Sequence, residues 1–192
     1  MGAGGLGGVA SEAEALRPTA VLATGLAGGC APDVRPGDLI VGSPVGPADP
    51  DGWIEPEPAL VRRALLALET AALPYRLGRL ATVRDLVATA EAKRALWGGR
   101  GAVAVDMESA HVLGWARRSG LPGVAVRAVA DGPEDRVPPT LAGIVSPAGG
   151  LRLRAAARGL GDPTLLADAW RLWRRSRLAL DRLARFLTAF WP

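Results

Sequence analysis

Apolar residues in this chain fall in short runs that end at Gly, Pro or an acid, and their spacing switches between strand and helix periods. Residues 19–24 read as a short buried strand closing on Gly25-Leu26-Ala27-Gly28-Gly29, a glycine-rich turn. Such a turn serves either close approach of a ligand to the backbone or tight strand–helix packing, and composition does not choose between them. Arg35-Pro36-Gly37-Asp38 is a turn signature, and Leu39-Ile40-Val41 a second strand. Residues 43–58, with five prolines and four acids around Trp53, predict a long surface loop. Residues 58–72 are a helix with Leu60, Ala64, Leu65 and Leu68 on one face. Residues 79–83 are strand-like. Residues 89–97 predict a helix capped by Thr89 and stopped by Gly98-Gly99.

Two further runs stand out because each delivers an acid at the end of an apolar strand. Val103-Ala104-Val105-Asp106-Met107-Glu108 opens a helix over 108–119, and Gly123-Val124-Ala125-Val126-Arg127-Ala128-Val129-Ala130 runs into Asp131-Gly132. A carboxylate at the end of a buried strand is costly unless something pairs with it or binds it. The open end of a parallel sheet is also where α/β proteins place ligands. Asp131 lies four residues after Arg127, on the same strand face if the strand is regular, so either an ion pair or a substrate contact is expected there. Asp106 either shares a face with Glu108 or caps the next helix, leaving Glu108 to a ligand. His111, a lone histidine on a helix, is left out of the chemistry.

Alternating strands and helices over about 130 residues predict an α/β fold with a mostly parallel sheet covered on both faces. Pro138 to Gly150 forms a Pro/Gly hinge, dividing a domain at 1–150 from an extension at 151–192. In that extension Asp162-Pro163-Thr164 starts a helix that runs to Phe190 without Gly or Pro. At the other end, residues 11–16 predict a short helix ended by Pro18. Gly2-Ala3-Gly4-Gly5-Leu6-Gly7 spells a dinucleotide fingerprint without the strand that must precede one.

Charge changes this picture only in the extension. The net +4 divides into −2 over residues 1–150 and +6 over 151–192, where nine Arg face three Asp. Nucleic-acid binding is not expected, because the main domain is acidic and lacks a basic, aromatic-studded face. The apolar stripe and Arg/Trp content of 163–191 fit docking on the domain or a partner subunit, or peripheral contact with a membrane surface. No run is long enough to span a bilayer, and the start lacks the features of a signal peptide, so a cytoplasmic protein is expected. One cysteine, Cys30, excludes an internal disulfide, and with a single His it leaves no soft-metal site.

Three of these stretches together carry a resemblance. Ala23-Thr24-Gly25-Leu26-Ala27-Gly28-Gly29-Cys30-Ala31-Pro32 with Arg35-Pro36-Gly37-Asp38 resembles a strand signature of the purine nucleoside phosphorylase and methylthioadenosine/adenosylhomocysteine nucleosidase superfamily. Val105-Asp106-Met107-Glu108-Ser109-Ala110 resembles its ribose-binding signature, and Val126-Arg127-Ala128-Val129-Ala130-Asp131 the strand carrying its catalytic aspartate. Gly25-Leu26-Ala27-Gly28-Gly29, the Val126-Arg127-Ala128-Val129-Ala130-Asp131 run and the Arg-rich tail look most like the hopanoid-associated phosphorylases, which cleave adenosylhopane. The resemblance implies a three-layer phosphorylase/hydrolase-like α/β fold that releases adenine by cleaving an N-glycosidic bond. Asp131 would serve the purine N7, Arg127 would orient or tune Asp131, and Glu108 would take the ribose hydroxyls with Met107 packed beside it. The backbone of Gly25, Leu26, Ala27 and Gly28 would lie near the ribose or the nucleophile. Leu26 replaces a common serine, and Val87 stands where a base-stacking aromatic is usual. No metal or organic cofactor is implied, inorganic phosphate being co-substrate in a phosphorylase and water in a nucleosidase. A homo-oligomer is expected. The strand that normally brings the nucleophile-activating groups is not found among these residues, so no residue is assigned that role.

Overall fold

The structure, a computed structural model, describes residues 15–47, 52–137 and 163–191, the last with side chains from Trp170 onward. The expectations for the glycine-rich start, for the helix at 11–16 (apart from its last two residues), for the hinge at 138–150 and for the Asp162 cap lie outside these residues. Nine elements follow in the order β1 (Val21–Gly29), β2 (Leu39–Pro47), α1 (Pro58–Thr70), β3 (Tyr75–Thr82), α2 (Ala90–Arg100), β4 (Ala102–Asp106), α3 (Ser109–Arg118), β5 (Gly123–Asp131) and α4 (Pro163–Phe190). The strands pair in the closed order β1-β4-β3-β2-β5. β1–β5, β2–β3 and β3–β4 are parallel, whereas β1–β4 and β2–β5 are antiparallel. The fold is α/β with a mixed sheet, and closure leaves none of these strands with an unpaired edge.

Helices cover the sheet on more than one side. Leu39, Val41, Val124, Val126 and Ala128 pack under α1 and α4 with Leu68, Ala179, Leu183, Phe186 and Phe190. A second cluster draws on all five strands, including Ala23, Ile40, Leu80, Val103 and Val129, and adds Leu113 of α3. A third joins Cys30, Ala81, Ala102 and Val105 to Trp53, Val87, Leu96 and Trp97. The C-terminal helix is therefore built into the same core as β2 and β5, and Arg63 ties its end down by donating to the Phe190 carbonyl at 2.8 Å.

Several element boundaries differ from expectation, among them β3, which starts at Tyr75 rather than at 79. β1 does not stop at Thr24 but continues through the glycines to Gly29, paired with β5 and then β4. A side chain on Gly25 would collide with the Arg127 guanidinium, and one on Gly29 would meet Val34 Cγ1 at 2.8 Å. The missing side chains thus make room for the Arg127 and Val34 side chains rather than for a packed helix. β2 likewise runs on through Ser43-Pro44 to Pro47, with Val45 bridged to Ile54, because proline is tolerated where the ladder bulges between Gly42 and Val45. α2 passes Gly98-Gly99 and ends at Arg100. There Gly101 takes the left-handed conformation (φ 63°) and its N–H reaches the Trp97 carbonyl.

Candidate functional site

β4 and β5 bring their terminal acids to the same region through Gly28. That residue pairs with Val105 on one side and Asp131 on the other, so the two strand ends lie one strand apart, about 10 Å. They are held by different cations. Asp106 is fully buried and forms a 2.7 Å ion pair with Arg127 Nε. It also accepts from Thr82 Oγ1 at 2.7 Å and from the Ser109 N–H at 3.2 Å, while the Ala110 N–H donates to Thr82 Oγ1. These contacts satisfy the first free N–H groups of α3, so Asp106 holds the strand–helix junction. The strand ends at Asp106, so the alternative in which it shares a strand face with Glu108 does not occur.

Arg127, also buried, donates to Ser109 Oγ at 2.9 Å and to the Thr24 carbonyl at 3.3 Å. Its Nη2 lies 3.6 Å from Glu108 Oε2. Glu108 occupies the N-cap position of α3 without making a cap hydrogen bond, and its side chain is 38% exposed. It is the carboxylate of this group that is turned to solvent. Met107 beside it is half-buried.

The expected Arg127–Asp131 pairing is not found. The β1–β5 register shifts from Ala27–Val129 to Gly28–Asp131, leaving Ala130 as an extra residue in β5. Such a bulge breaks the alternation that would have put residues 127 and 131 on one face. Arg127 goes to Asp106 and Glu108, and Asp131 pairs with Lys93 of α2, which sequence reasoning passed over. The Lys93 ammonium also donates to the carbonyls of Gly132 (2.7 Å) and Asp135 (3.0 Å). Burial pushes the Asp131 carboxyl above the usual carboxylate range, and the charge and hydrogen bond of Lys93 oppose that rise without cancelling it. The neighbouring Cys30 thiol is pushed up to about 12, chiefly by burial, and is neutral.

Asp131 faces a cavity of about 180 Å³ between the loop at 132–137 and α4, lined also by Asp135, Arg136, Arg171, Leu172 and Arg175. A larger, open depression lies at the opposite end of β1 and β5, around Thr19, Leu60 and Leu121, with Glu57 and Arg117 as its charged residues. It contains none of the acids at the ends of β4 and β5, whereas Asp131 lines the smaller cavity. Of the remaining expected site residues, Gly28 packs against the Asp131 carboxylate and Gly25 against Arg127. Leu26 turns into the cluster under α1 and α4, Ala27 is buried in the main core, and Val87 packs near Cys30 and Val105. No group of three or more His, Cys, Asp or Glu among the described residues is placed to hold a metal ion.

Comparison with solved structures finds the same architecture. Futalosine hydrolase of Helicobacter pylori (a mutant) aligns with a TM-score of 0.59 at 25% identity, over 63% of this chain and 61% of the hydrolase. The chain therefore spans about three-fifths of that relative. The 5'-methylthioadenosine/S-adenosylhomocysteine nucleosidase of Neisseria meningitidis, in complex with methylthio-immucillin-A, gives 0.71 at 16% identity, over 94% and 72% of the two chains. The corresponding nucleosidase of Campylobacter jejuni gives 0.60 at 22%, over 65% and 61%. No curated protein matches by sequence. The family model that does match, described as the phosphorylase superfamily, covers residues 2–143, the stretch holding β1 to β5 and both acid-bearing strands. This chain belongs to the phosphorylase superfamily.

Proposed function

We propose that this chain cleaves the N-glycosidic bond of a purine nucleoside. The observation that carries the reading is the Asp131 carboxyl, raised by burial and lining a cavity, at the end of a strand that only β1 separates from β4, which leads into the partly exposed Glu108. An acid that keeps its proton closer to neutral pH is suited to hydrogen-bond or protonate a departing base. Glu108 takes the ribose hydroxyls and the positive charge that develops on the sugar. Arg127 acts on Glu108 and Asp106 rather than on Asp131. The glycosidic electron pair leaves with the base, and the sugar carbon is taken by phosphate or water.

The substrate this reading favours is adenosylhopane, phosphorolysed to release adenine, with inorganic phosphate as co-substrate and no metal or organic cofactor. Hydrolysis of methylthioadenosine or adenosylhomocysteine is the second reading, supported by nucleosidases among the structural relatives. Adenine release from 5'-adenosyl substrates with and without phosphate separates the two. Rates that require phosphate favour phosphorolysis, equal rates favour hydrolysis, and no release refutes both.

A homo-oligomer at a membrane surface belongs to the same reading. Trp170, Trp173 and Trp191 of the C-terminal segment are each more than half exposed, and Arg174 and Arg177 stack over two of the rings. No helix of the described residues is long and apolar enough to cross a membrane, so the contact would be peripheral. Binding to anionic vesicles that falls when Trp170 and Trp173 become Ala supports it. Unchanged binding or none contradicts it.

A further inference from the structure

Lys93 is the single lysine of a chain whose other 22 basic residues are all Arg, and it is completely buried. It sits one turn into α2, its N–H bonded to the carbonyl of the cap residue Thr89. An ammonium has three N–H donors. Here they meet Asp131 Oδ2, the Gly132 carbonyl and the Asp135 carbonyl. A compact charge with three rotatable donors fits that arrangement, whereas the planar fork of a guanidinium does not. Both carbonyls belong to the loop that leaves β5, so one side chain fixes the carboxylate and the backbone that carries it. A second tie holds the loop in place: Asp135 accepts from the Gly132 N–H at 2.7 Å and pairs with Arg175 of α4 at 2.6 Å.

The other charged and titratable groups facing Asp131 are more distant in kind. Asp135 of the loop is already engaged by Arg175, Cys30 is a neutral thiol, and Glu134, Arg136 and Arg171 line the cavity rim. Lys93 is the cation hydrogen-bonded to the carboxylate.

We propose that Lys93 is the positioning residue of this site: its ammonium, held by the Gly132 and Asp135 carbonyls, aims the Asp131 carboxyl and stabilises it when ionised. The inference rests on the reading of Asp131 as the acid that serves the base. When the base departs, the Asp131 O–H bond breaks, an N–H bond forms on the purine, and the glycosidic pair stays with the base. Lys93 keeps its own protons and stabilises the carboxylate left behind, which regains a proton from solvent after release. Burial raises the Asp131 carboxyl above the usual carboxylate range, and the ammonium opposes that rise.

Because the chain has one lysine, full-length protein labelled with ¹³C,¹⁵N-lysine gives a single lysine signal, and labelled aspartate reports the Asp131 carboxyl. The wild type is expected to show the lysine signal inflecting at the pH where the Asp131 carboxyl titrates, and Asp131→Asn is expected to abolish that inflection. Lys93→Gln keeps N–H donors without the charge and is expected to raise the Asp131 midpoint by at least one pH unit, about tenfold in proton affinity. The pH–rate profile should move with it. A lysine signal that stays flat through the Asp131 titration, or a midpoint left in place by Lys93→Gln, overturns the proposal. If Lys93→Gln fails to fold, the comparison of wild type with Asp131→Asn still decides. These titrations need no turnover, so absence of adenine release would defeat the nucleosidase reading without touching them.

Discussion

Arg127 reaches Asp106, Ser109, Glu108 and the Thr24 carbonyl from one position in β5. The two acids beside it differ in burial, and burial decides what each one does. Removing one member of a fully buried pair strands the other charge and costs about 3–5 kcal/mol. Asp106→Ala is therefore expected to lower stability by that amount in urea unfolding. Glu108 is partly solvated and 3.6 Å from the guanidinium. Glu108→Gln should cost no more than about 1 kcal/mol, while nucleoside cleavage falls sharply. A large stability loss at Glu108 or a small one at Asp106 would reverse this division of labour. Gly25 belongs to the same group, since a Cβ there would occupy the space of the Arg127 guanidinium at a backbone φ of +152°. Gly25→Ala is expected to displace Arg127 and reduce both stability and activity.

At the level of elements, α4 is fastened at two places by different physics. Its later turns bury Ala179, Leu183, Phe186 and Phe190 against β2, β5 and α1, and Phe186→Ala should cost about 3–5 kcal/mol in equilibrium unfolding. The earlier turns are held through the Arg175–Asp135 pair. Burial acts to raise the Asp135 carboxyl, but the hydrogen bond from Arg175 and the Gly132 N–H outweigh it and hold it below the usual carboxylate range. A carboxyl depressed in the folded state stabilises above its unfolded pKa, and that contribution is lost as pH falls through the folded value. Amide-exchange protection around 170–178, measured against the intrinsic rate at each pH, should therefore fall when the pH is taken below about 4. Asp135→Asn should produce the same fall already at neutral pH. Much of this layout was legible from sequence. The Pro58 start of α1, the Thr89 cap of α2 and the acid at the end of β5 are local signals, and local signals survive folding. The end of β1 was not legible, because glycines that admit a neighbouring arginine look the same in sequence as glycines that form a turn. Nor was the Lys93–Asp131 pair, which joins residues 38 apart through a helix position that reads as solvent-exposed. Its one sequence trace is that Lys93 is the only lysine in a chain that otherwise uses Arg.

Over the whole molecule, strand closure and the bulge in β5 work together. Closure sets Gly28 between Val105 and Asp131, and the extra residue Ala130 turns Asp131 away from Arg127 toward Lys93. Two separately paired carboxylates result, Glu108 partly solvated and Asp131 beside a cavity. Everything turns on Asp131 serving the departing base. The most direct measurement is adenine release from a 5'-adenosyl nucleoside by the wild-type chain and by Asp131→Asn, each with and without phosphate. That role for Asp131 predicts release by the wild type and a loss of roughly 10²–10⁴-fold in the variant. Release at the wild-type rate by a folded Asp131→Asn protein would contradict it, as would no release by the folded wild type.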